Sequence, residues 1–166
     1  KQSIEQLRLL ALLSSAAVEP SEILALLDTA YVFANDFSTN RKNLEVQIQN
    51  ILQYQELFKI EKISIMYFES DIVKLFYSSE KPFTQFSRVT EDPEMRQVRE
   101  KAGVVVKPDY LKEEQSYYSA FAPVLDGQEN VIGFSQVDVL KSEILGRQPN
   151  LWLRLLFYWA ATLLFS

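Results

Sequence analysis

Reactive side chains are scarce in this chain, and the scarcity removes most catalytic chemistry. It has no cysteine and no histidine, which excludes thiolate nucleophiles, disulfides, Cys/His zinc sites and any triad that uses imidazole as its base. Its glycines, at 103, 127, 133 and 146, stand singly as turn or strand residues, so no glycine-rich loop is present to cradle a phosphate. Glu91-Asp92 and Glu113-Glu114 read as solvated charge. Glu69 with Asp71 could touch a cation, but two acids in one turn fall short of a ligand set. One acid stands apart. Asp138 closes the otherwise apolar alternation of Val131 to Val139, just before a short helical stretch, Leu140 to Gly146. Two roles are open to it: capping that helix through its free N–H groups, or lining a ligand pocket. The cap is the simpler of the two.

Charge and composition narrow the partners. Of 166 residues 48% are hydrophobic and the net charge is −5, so the chain is long enough and apolar enough for one domain with a real core. Lys and Arg are scattered singly or in pairs on an acidic chain, which leaves no basic patch to grip a nucleic-acid backbone. The absence of cysteine says little about compartment.

The elements that must position these residues come in a definite order. Ile4 to Val18 lacks Gly and Pro and reads as helix. It is apolar on two stripes, Leu7, Leu10, Ser14 and Ala17 on one, and Leu9, Leu12, Leu13 and Ala16 on the other. Such a helix is covered either by its own domain and a second copy of the chain, the first stripe being the expected dimer face, or wholly within its own domain. Pro20 starts a new turn, with Ser21 a capping candidate, and helix continues from Ile23 to Phe37. Ser38 or Thr39 then caps a third helix with a stripe of Leu44, Ile48, Ile51, Leu52 and Phe58.

From Lys62 the period changes. "KISIMYFES" and "IVKLFYSS" around Ser70-Asp71 predict a hairpin. "TEDPEMRQVREKAG" predicts a short helix with Thr90 as cap and Gly103 as stop. Val104 to Val106 is a short extended piece closed by "KPDY". Two further strands flank Asp126-Gly127, a strong turn signal. Strands joined by tight turns, with the helices segregated, make an α+β domain with an antiparallel sheet. Residues 1–60 are expected to be helical, 61–139 to form the sheet with an inserted helix, and 140–146 the exit helix.

The two ends suggest a larger context. The chain begins at Lys1, so it is expected to be part of something longer. From Leu155 to Phe165 only Thr162 is not apolar, which is short of the roughly 20 residues a spanning helix needs. Residues 150–166 therefore read as the start of a truncated transmembrane helix, with Trp152, Tyr158 and Trp159 at the interface and Arg154 snorkelling outward. A buried C-terminal helix is the alternative.

The stretch "YSAFAPVLDGQENVIGFSQVDV" resembles the closing hairpin of the Cache, or PDC, extracytoplasmic sensor domains. The matching positions are Tyr118, Pro123 with Val124, Asp126 with Gly127, Ile132 with Gly133, and Asp138 between Val137 and Val139. "LRLLALLSSAAVEPSEI" resembles their long N-terminal helix, although family members often carry an Asp where this chain has Glu19-Pro20. The resemblance spans residues 4 to 146. It implies a PAS-like antiparallel sheet backed by a long helix, with a short exit helix leading towards a membrane span. It further implies a sensor held at the inner membrane of a bacterium, facing the periplasm or exterior and signalling to a cytoplasmic output module.

Pockets in that family offer aromatic walls, an Arg and an Asp. The candidates at similar places are Tyr67, Tyr77, Arg88, Tyr110, Tyr117, Tyr118 and Asp138, a set suited to a small anionic or zwitterionic ligand. Tyrosines on strands are also ordinary half-buried core residues. Two functions therefore stand side by side, a ligand-gated sensor and a ligand-free dimerisation and transmission module. They differ in whether the space under Glu80 to Lys107 is open and polar or plugged by Phe83 and Phe86. No catalytic residue, metal site or cofactor is implied by either.

Overall fold

A computed structural model describes residues 2–27, 37–53, 60–80, 87–112 and 115–146. Three helices come first: α1 (Gln2–Ala16), α2 (Pro20–Leu27) and α3 (Phe37–Gln53). The hairpin β1 (Ile60–Glu69) and β2 (Ile72–Ser78) follows, then the short strand β3 (Arg88–Val89), the helix α4 (Pro93–Lys101), the strands β4 (Val105–Lys112), β5 (Gln115–Leu125) and β6 (Val131–Leu140), and α5 (Lys141–Gly146). The strands form one six-stranded sheet in the order β3-β2-β1-β6-β5-β4, every pair antiparallel. This is the α+β class expected from the strand spacing, with α1 lying against β5 and β6.

Each sheet face has its own core. On one, Ile63, Ile65 and Tyr67 of β1, Ala120, Ala122 and Val124 of β5, and Val137 and Val139 of β6 bury against Leu7, Leu10 and Ala11 of α1, Ile23 of α2, and Leu44 and Ile48 of α3. On the other, Met66, Phe68, Val73, Phe121 and Phe134 bury under Met95 and Val98 of α4. Period-2 alternation supplies both faces at once, because successive strand side chains point opposite ways. Gly133 marks the tightest point: a Cβ there would sit 2.4 Å from the Met66 carbonyl oxygen and 3.1 Å from Ile23 Cδ1.

Several local expectations change. The first stripe of α1, expected to meet a dimer partner, packs on the chain's own sheet: Leu7, Leu10 and Ser14 are buried and Ala17 is partly buried. Ser14 Oγ donates to the Leu10 carbonyl at 2.8 Å, which lets a polar residue occupy that interior face. Leu9, Leu12 and Leu13, the second stripe, are 55%, 44% and 48% exposed. Pro20 is the first residue of α2 (Pro20–Leu27), so Ser21 falls inside the helix, and residues 28–36 of the helix expected from Ile23 to Phe37 lie outside the described residues. Ser38 and Thr39 likewise lie within α3, which starts at Phe37.

The cap of α4 is Asp92 rather than Thr90, because Pro93 is preset for the first helical position. The left-handed residue that ends α4 is Ala102, with φ 45°, rather than Gly103. "KPDY" does not close the third extended piece. β4 runs through it to Lys112, with a register shift between Lys107 and Tyr110 and Asp109 at φ 54°. Phe58, Phe83, Phe86 and the apolar run 150–166 lie outside the described residues. Among the described residues no helix is long and apolar enough to cross a membrane.

Candidate functional site

The α4 face of the sheet divides into an apolar half and a polar half. Phe68 and Phe134, with ring centroids 5.3 Å apart, and Phe121 fill the half beneath α4. Arg99 of α4 lies over the Phe68 ring at 4.9 Å. Further along the same strands the alternation turns polar. The register sets Ser78 opposite Ser64, and Ser64 opposite Gln136. One residue pair further along, it sets Lys62 opposite Asp138, Asp138 opposite Ser119, and Ser119 opposite Lys107. A row of charged and polar side chains thus crosses β1, β6, β5 and β4 on one face. Ser64, Ser78, Ser119 and Asp138 are all buried.

Asp138 is the centre of this row. Its Oδ1 accepts from Ser119 Oγ and, at 2.8 Å, from Gln136 Nε2. Asp138 is 5% exposed, and its carboxylate carries no ion pair among the described residues. The cap expected from the sequence is therefore corrected. Asp138 lies within β6, two residues short of its end, and spends its side chain across the sheet rather than on α5. A buried carboxylate is ordinarily paired with a cation. Here two neutral donors meet it instead.

Both lysines of the row are paired with other acids. Lys107 Nζ donates to Asp92 Oδ2 at 2.7 Å and lies 3.6 Å from Glu94 Oε2, which ties β4 to the first turn of α4. Its partial burial alone would lower the ammonium's affinity for its proton. The bond to Asp92 and the charge of Glu94 outweigh that and raise it above the usual lysine value. Lys62 Nζ lies 3.5 Å from Glu80 Oε2, and Glu80 is 51% exposed. Across the strands the row runs Lys62, Asp138, Ser119, Lys107, with Lys62 paired to Glu80 and Lys107 to the acids at the start of α4.

The sequence-derived set is divided between the two faces. Tyr117 and Asp138 share the polar face, with the Tyr117 hydroxyl donating to Gln115 Oε1 at 2.9 Å. Tyr67, Tyr77 and Tyr118 lie on the other face, in or against the core under α1 and α3. Burial pushes the Tyr67 and Tyr77 hydroxyls above the usual phenol range, the charges of Glu69 and Glu45 adding to it. Arg88 is exposed on the edge strand β3, opposite Lys74. Tyr110 pairs with Tyr117 in the β4–β5 ladder. Among the described side chains, Tyr67, Tyr77 and Tyr118 therefore lie on the opposite face of the sheet from Tyr117 and Asp138. The side chains that do gather, Lys62, Ser64, Ser119, Gln136 and Lys107, lie at spacings that an unaided reading of loops and tyrosines passes over. The signal was present in "KIS" and "FSQVD", where Lys62, Ser64, Gln136 and Asp138 interrupt the apolar alternation on the α4 face.

Other acids have partners of their own. Glu69 pairs with Lys74, while Asp71 is fully exposed and 3.9 Å from Arg99. Among the described residues no three acidic side chains group in a way that would hold a metal ion.

No protein-family profile matches the sequence, and no curated protein does. Solved structures similar to the chain include the ligand-binding domain of the Campylobacter jejuni chemoreceptor Tlp3 in complex with 4-methylisoleucine, at 15% identity and a TM-score of 0.42. That match covers 86% of this chain and 60% of the Tlp3 domain, so the chain spans about three-fifths of that domain's length. The A. aeolicus nlh2 GAF domain in an inactive state is similar at 16% identity and a TM-score of 0.44, over 81% of this chain and 82% of that one. A type II free methionine-R-sulfoxide reductase from Thermoplasma acidophilum is similar at 17% identity and a TM-score of 0.43, over 60% of this chain and 75% of its own.

Proposed function

We propose that the chain is a small-molecule sensor domain whose ligand lies on the polar half of the α4 face, with a donor group of the ligand, an ammonium above all, bound by Asp138. The observation that carries this reading is the buried Asp138 carboxylate, met by the neutral donors Ser119 and Gln136 and by no cation among the described residues. Such a group is costly to leave unpaired, and a cationic ligand supplies what is missing. Arg88, exposed on β3, is not part of this site. The wider setting is the one that the closing-hairpin resemblance suggests: a receptor of the bacterial inner membrane, its sensor on the outer side, its signal leaving through α5. A second copy of the chain packs on Leu9, Leu12 and Leu13 of α1, the stripe that the domain's own core does not use.

A thermal-shift screen against amino acids, simple amines, carboxylates, sugars and divalent cations tests the reading. A ligand at ~100 times its Kd adds roughly 2.7 kcal/mol to the native state. An amine-bearing ligand is expected to raise Tm in a concentration-dependent way, and Asp138→Asn to abolish the rise. A screen with no shift from any amine-bearing compound removes the reading and favours a ligand-free transmission module.

A further inference from the structure

We infer that the bulge of β4, Lys107-Pro108-Asp109, is a strap that couples α4 on one face of the sheet to α5 on the other, so that freeing α4 from β4 also unseats α5. Lys107 pairs with Ser119 and Tyr110 with Tyr117, which leaves Pro108 and Asp109 set against Tyr118 alone. A bulge of this kind bends the strand and re-aims its side chains. Lys107, just ahead of it, reaches α4: its Nζ donates to Asp92 Oδ2 at 2.7 Å and lies 3.6 Å from Glu94 Oε2. Asp109, at φ 54°, is aimed instead at Lys141, the first residue of α5, whose Nζ donates to its Oδ2. Met95 and Val98 of α4 bury over Phe68 and Phe134, whereas Ile144 of α5 buries in the core under α1. The two ties thus run from one short stretch of β4 to helices on opposite faces.

Three features make that stretch a link rather than two separate anchors. Among the described residues β4 is the last strand of the sheet, paired with β5 alone, so on its other side no strand resists a pull from a helix. The two ties are two residues apart, at most about 7 Å of chain, and Pro108 between them has a fixed φ and no N–H to give to a ladder. The link is therefore stiff along its length and outside the paired register. Finally, α4 is held more firmly here than at its far end, where Arg99 lies 3.9 Å from the fully exposed Asp71, a contact worth little. Whatever shifts the start of α4 pulls on Lys107, and the pull passes through Pro108 to Asp109 and Lys141.

Hydrogen exchange of the whole chain tests the strap, read by NMR at the Leu145 and Gly146 amides that close the turn of α5. The slowest amides of β6 serve as the reference for global opening. Lys107→Met keeps the aliphatic stem and removes the tie to α4. It is expected to speed exchange in α5 relative to β6 by roughly twofold to fivefold, the range that one partly exposed ion pair spans. Asp109→Asn, which removes the other tie, is expected to do the same, and the double variant to exchange no faster than Asp109→Asn alone. Arg99→Met, which frees the far end of α4, is expected to leave α5 as in wild type. Should Lys107→Met fail to fold, Asp92→Asn with Glu94→Gln removes the same tie and keeps a side chain able to cap α4. The strap is overturned if α5 is unchanged when α4 is freed from β4, if the two ties act additively, if α5 and β6 speed up alike, or if Arg99→Met speeds α5 as much. Wild-type α5 amides that are already unprotected overturn it too. The ligand site at Asp138 is untouched by any of these outcomes.

Discussion

Asp138 decides what the polar face can do, and its neighbours determine how much it costs to change. Replacing it with Ala leaves the Ser119 hydroxyl and the Gln136 amide without their acceptor. A buried donor stripped of its partner costs ~1–3 kcal/mol, so Asp138→Ala is expected to lower stability by that order in urea unfolding, and Asp138→Asn, which keeps an acceptor oxygen, by less. Two exposed acids carry the clearest pH signature. Asp109, bonded to Lys141, and Asp126, which accepts from the Asn130 side chain and backbone and from the Gln128 N–H, are both held below the usual carboxylate range. A carboxyl with a depressed folded-state pKa contributes stability that is full above the ordinary range and disappears as pH falls through the depressed value. In Asp126→Asn and Asp109→Asn, Tm is therefore expected to lie below wild type near neutrality and to converge with it in acid, so that the fall of Tm with acid becomes shallower. An unchanged acid slope in both variants would remove the assignment.

The β5–β6 hairpin shows how differently two glycines in one element are used. Its loop is built by Asp126, whose Oδ1 accepts the Gln128 and Asn130 N–H groups at 2.8 Å each, and the left-handed residue is Glu129, with φ 65°. Gly127 has open space where a Cβ would go and no positive φ. Gly127→Ala is thus expected to be neutral or to stabilise by up to ~1 kcal/mol, through the unfolded chain. Gly133→Ala would drive its methyl into the Met66 carbonyl of the neighbouring strand, and the backbone there cannot yield without opening the β1–β6 ladder. A Tm loss of many degrees, or no soluble protein, is expected. A Gly133→Ala variant as stable as wild type would overturn the close approach of β1 and β6. The same hairpin anchors α1, since buried Ser135 donates to the Ala11 carbonyl at 2.7 Å.

For the molecule as a whole, the question is which stripe of α1 belongs to the core and which to a partner. Leu7 is fully buried, so Leu7→Ala is expected to cost ~2–5 kcal/mol. Leu13, nearly half exposed in the groove it shares with Leu12 and Leu125, is expected to tolerate Lys within about 0.5 kcal/mol. In sedimentation at rising concentration, wild type is expected to associate and Leu9→Lys with Leu13→Lys to remain monomeric. A wild-type chain that stays monomeric throughout removes the proposed pairing. The tight Lys107 clamp on Asp92 and Glu94 fixes α4 to β4 whatever the state of association.

Much of this was legible in the residues alone. The period-2 runs after Lys62, the Asp126 turn and the presence of a short helix at α4 are local signals, and local backbone preference is enough to write them. The absence of His, Cys and glycine-rich loops likewise bounded the chemistry before any fold was known. What no local signal could carry is register. Whether Asp138 faces a helix end or a lysine depends on which residue of β1 it pairs with, and a shift of one residue would move every side chain to the other face. That pairing is set by contacts far apart in sequence, Lys62 with Asp138 and Ser119 with Asp138. It separated Tyr67 and Tyr77 from the site, turned the expected dimer stripe inward, and gathered a row of side chains that lie far apart along the chain.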